Sequence, residues 1–343
     1  MSRLLELGDR RIGDGERVFV IAEACDNHLG DLERAKEMAR QAKQAGADAV
    51  KFQHHLPDEE MLPDVPMSDN FEEPLYEFLR KYALTIDAHS ELMATCCELG
   101  IAYMCTPFSY RAAVELAELG IESFKIGSGE LTDVPSLTRI AALGKPMLLS
   151  TGMATLEEID GTVAVLRETR VPFGLMNCVS EYPPVYEDMN IGVIRVLKER
   201  YPELVVGHSD HTPDLYTSFA AVALGAQAIE KHIILDKAQP GPDRSVSIDI
   251  DDLRALVDGI RKVEVSLGSD KQVHGRERDI REWAHRSVVT LRPLAAGETI
   301  ADGDVWTKRP GTGIPSRELP RVLGRTLRRD VAANALLAWD DLE

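Results

Sequence analysis

Residues 31–53 read DLERAKEMARQAKQAGADAVKFQ, and this stretch decides the fold. Leu32, Ala35, Met38, Ala39 and Ala42 recur at helical spacing and form one apolar face, with charged and amide side chains opposite. Gly46 follows, a residue that ends a helix in the left-handed conformation without a Cβ clash. Then comes Ala49-Val50-Lys51-Phe52-Gln53, one of several short β-rich runs of the kind that parallel strands buried on both faces require, here with Lys51 and Gln53 inside it. The same phrase recurs at Gly100, Gly120, Gly144 and Gly225.

Working outward, eight strand-like runs can be placed: Val18–Ala22, Ala49–Gln53, Ala102–Thr106, Ser123–Ile126, Pro146–Ser150, Phe173–Cys178, Val205–Ser209 and Ala228–His232. Eight strands alternating with helices over about 250 residues predict a closed (β/α)8 barrel, an α/β TIM barrel. A doubly wound sheet competes, but no GxGxxG follows the first run. Ser90 is the expected N-cap of the helix that ends before Gly100. Leu56–Asp87 reads as a long irregular insert, either a lid or a surface excursion.

The texture changes after Leu267. Gly268–Arg281 is polar and charged and reads as a linker. Beyond it, Thr290–Ile300 resembles Thr326–Leu336, and Gly297 and Asn334 suit left-handed turns. The expected organisation is a barrel over residues 1–270, a linker over 271–284 and a small domain over 285–343 that would be marginal alone.

Composition narrows the function. Acidic residues number 57 against 39 basic ones, for a net charge of -18, and no Lys/Arg stripe offers a nucleic acid its footprint. Neither nucleic acid nor an anionic membrane is an expected partner. The first residues lack an apolar signal core, and no run approaches the roughly 20 residues that span a bilayer. Of five cysteines, none forms a CxxC pair. Cys96 and Cys97 are taken as packing residues, and a reducing cytoplasm is expected.

Barrel active sites lie at the C-terminal ends of the strands. Here every such end is polar. Lys51 and Lys125 stand inside apolar runs, where an uncompensated charge is costly. With Thr106, Ser128, Ser150, Ser180 and Ser209 they make a ring of cations and hydroxyls suited to a ligand carrying phosphate and carboxylate. Gly127 and Gly129 would let backbone N–H groups approach it. A Schiff-base lysine is the rival explanation of one of the two. His211 and His232 end adjacent strands and can converge on one ion. With no cysteine ligand expected nearby, an open Mn2+ or Mg2+ site is favoured over structural zinc. His208 reads as a spacer, His28 is undecided, and His54-His55 are assigned to the loop after the second strand.

In this order, Ile21-Ala22-Glu23 with Asn27-His28, Lys51-Phe52-Gln53, Thr106-Pro107-Phe108, Lys125-Ile126-Gly127-Ser128-Gly129-Glu130, Ser150-Thr151-Gly152-Met153, Ser209-Asp210-His211-Thr212, Lys231-His232 and Pro240-Gly241-Pro242-Asp243 resemble the sialic acid synthase family. Lys308-Arg309-Pro310-Gly311 and its surroundings resemble that family's antifreeze-like (SAF) domain. The resemblance spans nearly the whole chain. It implies condensation of phosphoenolpyruvate with an open-chain N-acetylmannosamine-type sugar to a nine-carbon 2-keto-3-deoxy acid and phosphate. It implies a phosphoenolpyruvate pocket at Lys51, Thr106, Lys125, Ser128, Ser150, Ser180 and Ser209, and metal ligands at His211 and His232. Glu23, Glu130, Tyr182 and Asp243 match sugar-side and acid–base positions. Arg309 matches an arginine that reaches the sugar's acyl group from the partner subunit of a domain-swapped homodimer. Asn177, Val179 and Arg244 depart from the family pattern near the expected substrate, which admits a diacetamido-trideoxy hexose as the acceptor. A Kdo-like synthase or a non-catalytic sugar-binding protein are the alternatives.

Overall fold

The computed structural model describes residues 3–66 and 73–343. The strands are β1 (Leu4–Leu7), β2 (Arg10–Gly13), β3 (Phe19–Glu23), β4 (Ala49–His54), β5 (Ala102–Pro107), β6 (Phe124–Ile126), β7 (Met147–Ser150), β8 (Phe173–Cys178), β9 (Val205–Asp210), β10 (Ala228–His232), β11 (Ser287–Thr290) and β12 (Val305–Lys308). β3 to β10 close into a parallel barrel in chain order, with β10 pairing β3. Helices follow the barrel strands, as the recurring phrase requires. The helix Leu32–Ala45 begins on Asp31, whose carboxylate accepts from Arg34 N, and ends on Gly46 at φ 93°. Gly100, Gly120, Gly144 and Gly225 also adopt positive φ.

Alternate strand residues face opposite sides of the barrel wall. Val50, Phe52, Phe124, Leu149, Leu175, Val206 and Ile229 pack outward, in one cluster with the helices. Phe19, Ile21, Ala49, Met104, Leu148, Met176, Val205 and Ala228 face inward and pack on one another. Leu5, Leu7 and Ile12 of the β1–β2 hairpin join this inner cluster, so the hairpin closes the N-terminal end of the barrel. The hairpin precedes the recurring strand–helix phrase and is not marked by it.

Four local expectations are corrected. The helix before Gly100 spans Ile86–Leu99 and is capped by Thr85, not Ser90, because Thr85 Oγ1 accepts from Ala88 N. The insert after Leu56 is partly helical, at Pro57–Glu60 and Leu75–Tyr82; its residues 67–72 lie outside the described ones. Cys97 is exposed, while its neighbour Cys96 is buried. Part of the segment read as a linker forms the helix Gly275–Ala284, whose side chains are not buried.

The chain divides into two compact units, one ending at Gly268 and one beginning at Ser269. In the second unit β11 and β12 pair antiparallel over a core that includes Val288, Leu294, Ile300, Val305, Leu327, Val331 and Leu337. Leu294 and Val331 exchange both backbone hydrogen bonds at 2.9 Å, so the two related segments pair with each other. Gly297 at φ 82° and Asn334 at φ 56° take the left-handed turns expected of them. Among the described residues, no helix is long and apolar enough to cross a membrane.

Candidate active site

Counting in twos along each barrel strand from the inner apolar layer leads into one polar chamber. Ile21 leads to Glu23, Ala49 to Lys51 and Gln53, and Met104 to Thr106. Leu148 leads to Ser150, Met176 to Cys178 and Ser180, Val205 to Ser209 and His211, and Ala228 to Glu230 and His232. Lys125 sits opposite Leu148 in the β6–β7 register. All of these polar residues line a single cavity of about 520 Å³, as do Ser128, Glu130, Tyr182 and Asp243. Every barrel residue expected at the site is therefore on one wall or another of it. Arg309 belongs to the second unit, where its Nε donates to the Ala284 carbonyl at 3.1 Å and its guanidinium lies 5.2 Å from the Trp283 ring centre.

The parallel register sets Glu23 beside Lys51 on one side and His232 on the other. Lys51 Nζ lies 3.0 Å from Glu23 Oε2 and 3.5 Å from Glu230 Oε1, and donates to Thr106 Oγ1 at 3.1 Å. Lys125 Nζ donates to Ser150 Oγ at 2.6 Å and lies 3.7 Å from Glu230 Oε1. Glu230 also accepts from Ser209 Oγ at 3.0 Å. Burial works against the Lys51 ammonium, but Glu23 and Glu230 outweigh it and hold its pKa above the ordinary lysine value. Burial lowers the Lys125 pKa despite Glu230. Burial would raise the Glu230 pKa, yet Lys125 and Lys51 hold it below the usual carboxylate range. Lys51 and Lys125 thus share the buried carboxylate of Glu230, and Lys51 has Glu23 as a second, closer partner. The parity of β10 points to Glu230 two residues before His232, yet it was absent from the expected site.

A hydrogen-bonded chain runs from the insert to this cluster. His55 Nδ1 lies 3.0 Å from Glu60 Oε1, and His55 Nε2 lies 3.1 Å from Gln53 Oε1. Gln53 Nε2 donates to Glu23 Oε1 at 2.7 Å. Burial would lower the His55 pKa, but Asp26 and Glu60 raise it, which suits a ring donating from both nitrogens. The His55 ring stacks on Phe108 with centroids 4.3 Å apart. Of His54-His55, both assigned to the loop, only His55 lies beyond the strand. His54 is the last residue of β4, bonded to Glu115 at 2.9 Å, and His55 forms part of the cavity wall. Met61, Val65, Leu75 and Leu79 of the insert line the cavity too.

Two carboxyl groups are held ready to exchange protons. Burial pushes Glu23 up to about 7 against the pull of Lys51, and the charge of Glu230 adds to the rise. Burial likewise pushes Glu130 up to about 7. Gly127 makes room for Glu130, since a Cβ there would stand 2.3 Å from Glu130 Oε2. Gly152 does the same for Ser128 and Ser180: its own N–H donates to Ser128 Oγ at 3.0 Å, and a Cβ would meet Ser180 Oγ at 2.2 Å.

The residues at the other wall fit a divalent cation. The His211 and His232 ring centres are 5.0 Å apart. His211 Nδ1 donates to the Val179 carbonyl at 2.9 Å, which leaves Nε2 as the free acceptor beside Tyr182 Oη. Burial lowers His211 to about 4 and holds His232 well below the ordinary histidine value, so both imidazoles are neutral, the form that binds metals. His232 Nδ1 is buried and makes no hydrogen bond. A cysteine stands nearby after all: the ligand atoms of Cys25, His232 and Asp243 lie within 4.8 Å of one another.

Residues of the opposite parity serve structure. Asp210 accepts from Thr212 and Ser218 and lies 3.3 Å from Lys231 Nζ. His208 Nδ1 donates to the Asn177 carbonyl at 3.0 Å, and His28 Nδ1 accepts from Gly30 N at 3.0 Å. The Asn177 amide faces His208, 3.4 Å from its Nδ1. The family departure at Asn177 thus falls on the outer face of the barrel wall, Val179 supports His211 through its carbonyl, and Arg244 is exposed.

Comparison with known proteins supplies the context. The NeuB family model matches residues 38–272, and the SAF domain model matches residues 285–343. The chain is 37% identical over 347 residues to an N,N'-diacetyllegionaminic acid synthase of Legionella pneumophila, covering 96% of each chain. It is 32% identical over 338 residues to a pseudaminic acid synthase of Campylobacter jejuni, covering 96% of this chain and 97% of that one. The crystal structure of N-acetylneuraminic acid (sialic acid) synthetase from Leptospira borgpetersenii in complex with citrate superposes with a TM-score of 0.73 at 32% identity, over 82% of this chain and 95% of the other.

Proposed function

The chain belongs to the NeuB family and carries a SAF domain, and from that premise we propose that it condenses phosphoenolpyruvate with an open-chain N-acetylmannosamine-type or diacetamido-trideoxy hexose. The products are a nine-carbon 2-keto-3-deoxy acid and phosphate. The observation that carries this is the pair Lys51 and Lys125, both buried, set in a ring of hydroxyls and facing two neutral imidazoles across one cavity.

Lys51 and Lys125 hold the phosphate and carboxylate, with Thr106, Ser128, Ser150, Ser180 and Ser209 donating to their oxygens. Charge-assisted hydrogen bonds of this kind are worth about 1.5–3 kcal/mol each. His211 and His232 would hold Mn2+ or Mg2+ beside the aldehyde, with Asp243 close by. Bound there, the ion supplies Lewis-acid polarisation of the carbonyl. The enol carbon of phosphoenolpyruvate forms the new bond to the aldehyde carbon. The aldehyde oxygen takes up a proton from one of Glu23 and Glu130, whose raised pKa values keep a proton available near neutrality. Water adds to the phosphate-bearing carbon and gives its proton to the other carboxylate. Phosphate then leaves with cleavage of the C–O bond. Tyr182 and Asp243 face the sugar, and Arg309 from the partner subunit of a homodimer binds its acyl group. Release of phosphate from phosphoenolpyruvate that requires both a sugar and a divalent ion tests the proposal.

A further inference from the structure

Cys25 has a backbone that its side chain must justify. It follows β3 by two residues and sits at φ 40°, in the left-handed region where a Cβ is unfavourable by roughly 1–2 kcal/mol and glycine is not. Its thiol is fully buried beside Asp243, to which it is hydrogen-bonded.

The surrounding scaffold holds the thiol in register with two further donors. Asn27 Nδ2 donates to the Ile233 carbonyl at 2.9 Å and to Ser247 Oγ at 3.0 Å, and Ser247 Oγ donates to the Asp243 carbonyl at 2.7 Å. The turn carrying Cys25 is thereby fastened to the end of β10 and to the loop carrying Asp243. Gly241 permits this, because a Cβ there would stand 2.4 Å from Asn27 Oδ1. The outcome is a sulfur, an imidazole nitrogen and a carboxylate oxygen within 4.8 Å of one another. A tetrahedral ion with bonds of about 2.0–2.3 Å sets its ligand atoms about 3.3–3.8 Å apart, inside that limit. His232 is 4% exposed and its Nδ1, 3.5 Å from Asp243 Oδ2, lacks a hydrogen-bond partner. A buried imidazole nitrogen left bare next to a thiol and a carboxylate calls for a cation.

We infer that Cys25 is a metal ligand, its thiolate joining His232 and Asp243 around a divalent cation of the Zn2+, Co2+ or Fe2+ class. The thiol proton leaves to solvent on binding, and no oxidation state changes. A thiolate softens the ligand set, so the site ranks these ions above Mg2+ and Mn2+. The inference rests on the function proposed above and narrows its metal: with Cys25 as a ligand, an ion of this class replaces the Mn2+ or Mg2+ that the two histidines alone suggest.

The test is titration of the full-length, metal-stripped chain with Co2+, followed by absorption. Wild type should bind Co2+ with a near-ultraviolet thiolate-to-cobalt charge-transfer band. Cys25→Ser and Cys25→Gly should lose the band and bind Co2+ at least about tenfold more weakly, the scale on which even outer partners of a metal site act. Melting temperatures of both variants, measured alongside, separate loss of the ligand from loss of the fold. Absence of Co2+ binding, binding without the band, or a band that persists in Cys25→Ser and so belongs to Cys178 would each overturn the inference. Phosphate release without the band removes the Cys25 ligand and leaves the synthase assignment standing. The band without sugar-dependent phosphate release does the reverse.

Discussion

Glu230 Oε1 lies 3.7 Å from Lys125 Nζ, and this carboxylate raises the pKa of a lysine that burial lowers. Removing it takes away an influence that raises the Lys125 pKa, while burial continues to lower it. In Glu230→Gln, Lys125 therefore loses its proton at a lower pH than in wild type. Phosphoenolpyruvate affinity measured calorimetrically across a pH series should fall off at a lower pH in the variant. Identical pH profiles would show that Glu230 does not set the charge of the anion site.

Lys125→Met should weaken phosphoenolpyruvate binding by at least about 1.5–3 kcal/mol, roughly 10- to 150-fold. Methionine keeps the length and apolar stem of lysine, so the barrel should retain its melting temperature to within a few degrees. An unchanged dissociation constant would remove Lys125 from the anion site.

Glu130 carries a stability signature whose sign is fixed. Its folded pKa, about 7, is above the ordinary value of 4.5, so the folded state holds a proton that the unfolded state releases. Its contribution is most favourable below the unfolded value and is lost as pH rises towards 7. Glutamine in its place stays neutral at every pH. The melting temperature of Glu130→Gln minus that of wild type should thus increase between pH 4.5 and 7 and then level off. If Glu130 supplies the proton to the aldehyde oxygen, the fall of kcat above pH 7 also disappears in this variant.

Much of this site can be read in the sequence because barrel geometry is strict. Once the run Ala49–Gln53 is taken as a strand, its period of two puts Lys51 and Gln53 on one face, and the same rule applied to Ala228–His232 puts Glu230 with His232. What the sequence could not display depends on closure and register. Nothing local marks Glu230 as the shared partner of Lys51 and Lys125, because the three come from β10, β4 and β6. Cys25 and Asp243 are 218 positions apart and meet only because β10 pairs β3. The β1–β2 hairpin is hard to read for another reason: each strand has four residues, and of its apolar residues only Leu5, Leu7 and Ile12 are buried while Leu4 is exposed. The helix Gly275–Ala284 escaped because its charged side chains mark no buried face.

Arg309 should act across a subunit boundary. Arg309→Ala and Lys125→Met, each inactive alone, should partly regain activity when mixed and allowed to exchange subunits, since one site of the heterodimer then holds both native residues. A mixture that exchanges subunits and stays inactive would confine Arg309 to its own chain or exclude it from the site.

The central claim is that the two lysines present phosphoenolpyruvate to a sugar aldehyde and that phosphate departs with its C–O bond cleaved. The most direct measurement uses phosphoenolpyruvate labelled with oxygen-18 at the bridging position, incubated with the divalent ion and a panel of amino sugars. The account predicts that, with an N-acetylmannosamine-type or diacetamido-trideoxy hexose, labelled phosphate is released in equal amount to a nine-carbon 2-keto-3-deoxy acid, and that omitting sugar or chelating the ion stops release. Unlabelled phosphate, or release that needs no sugar, would contradict it.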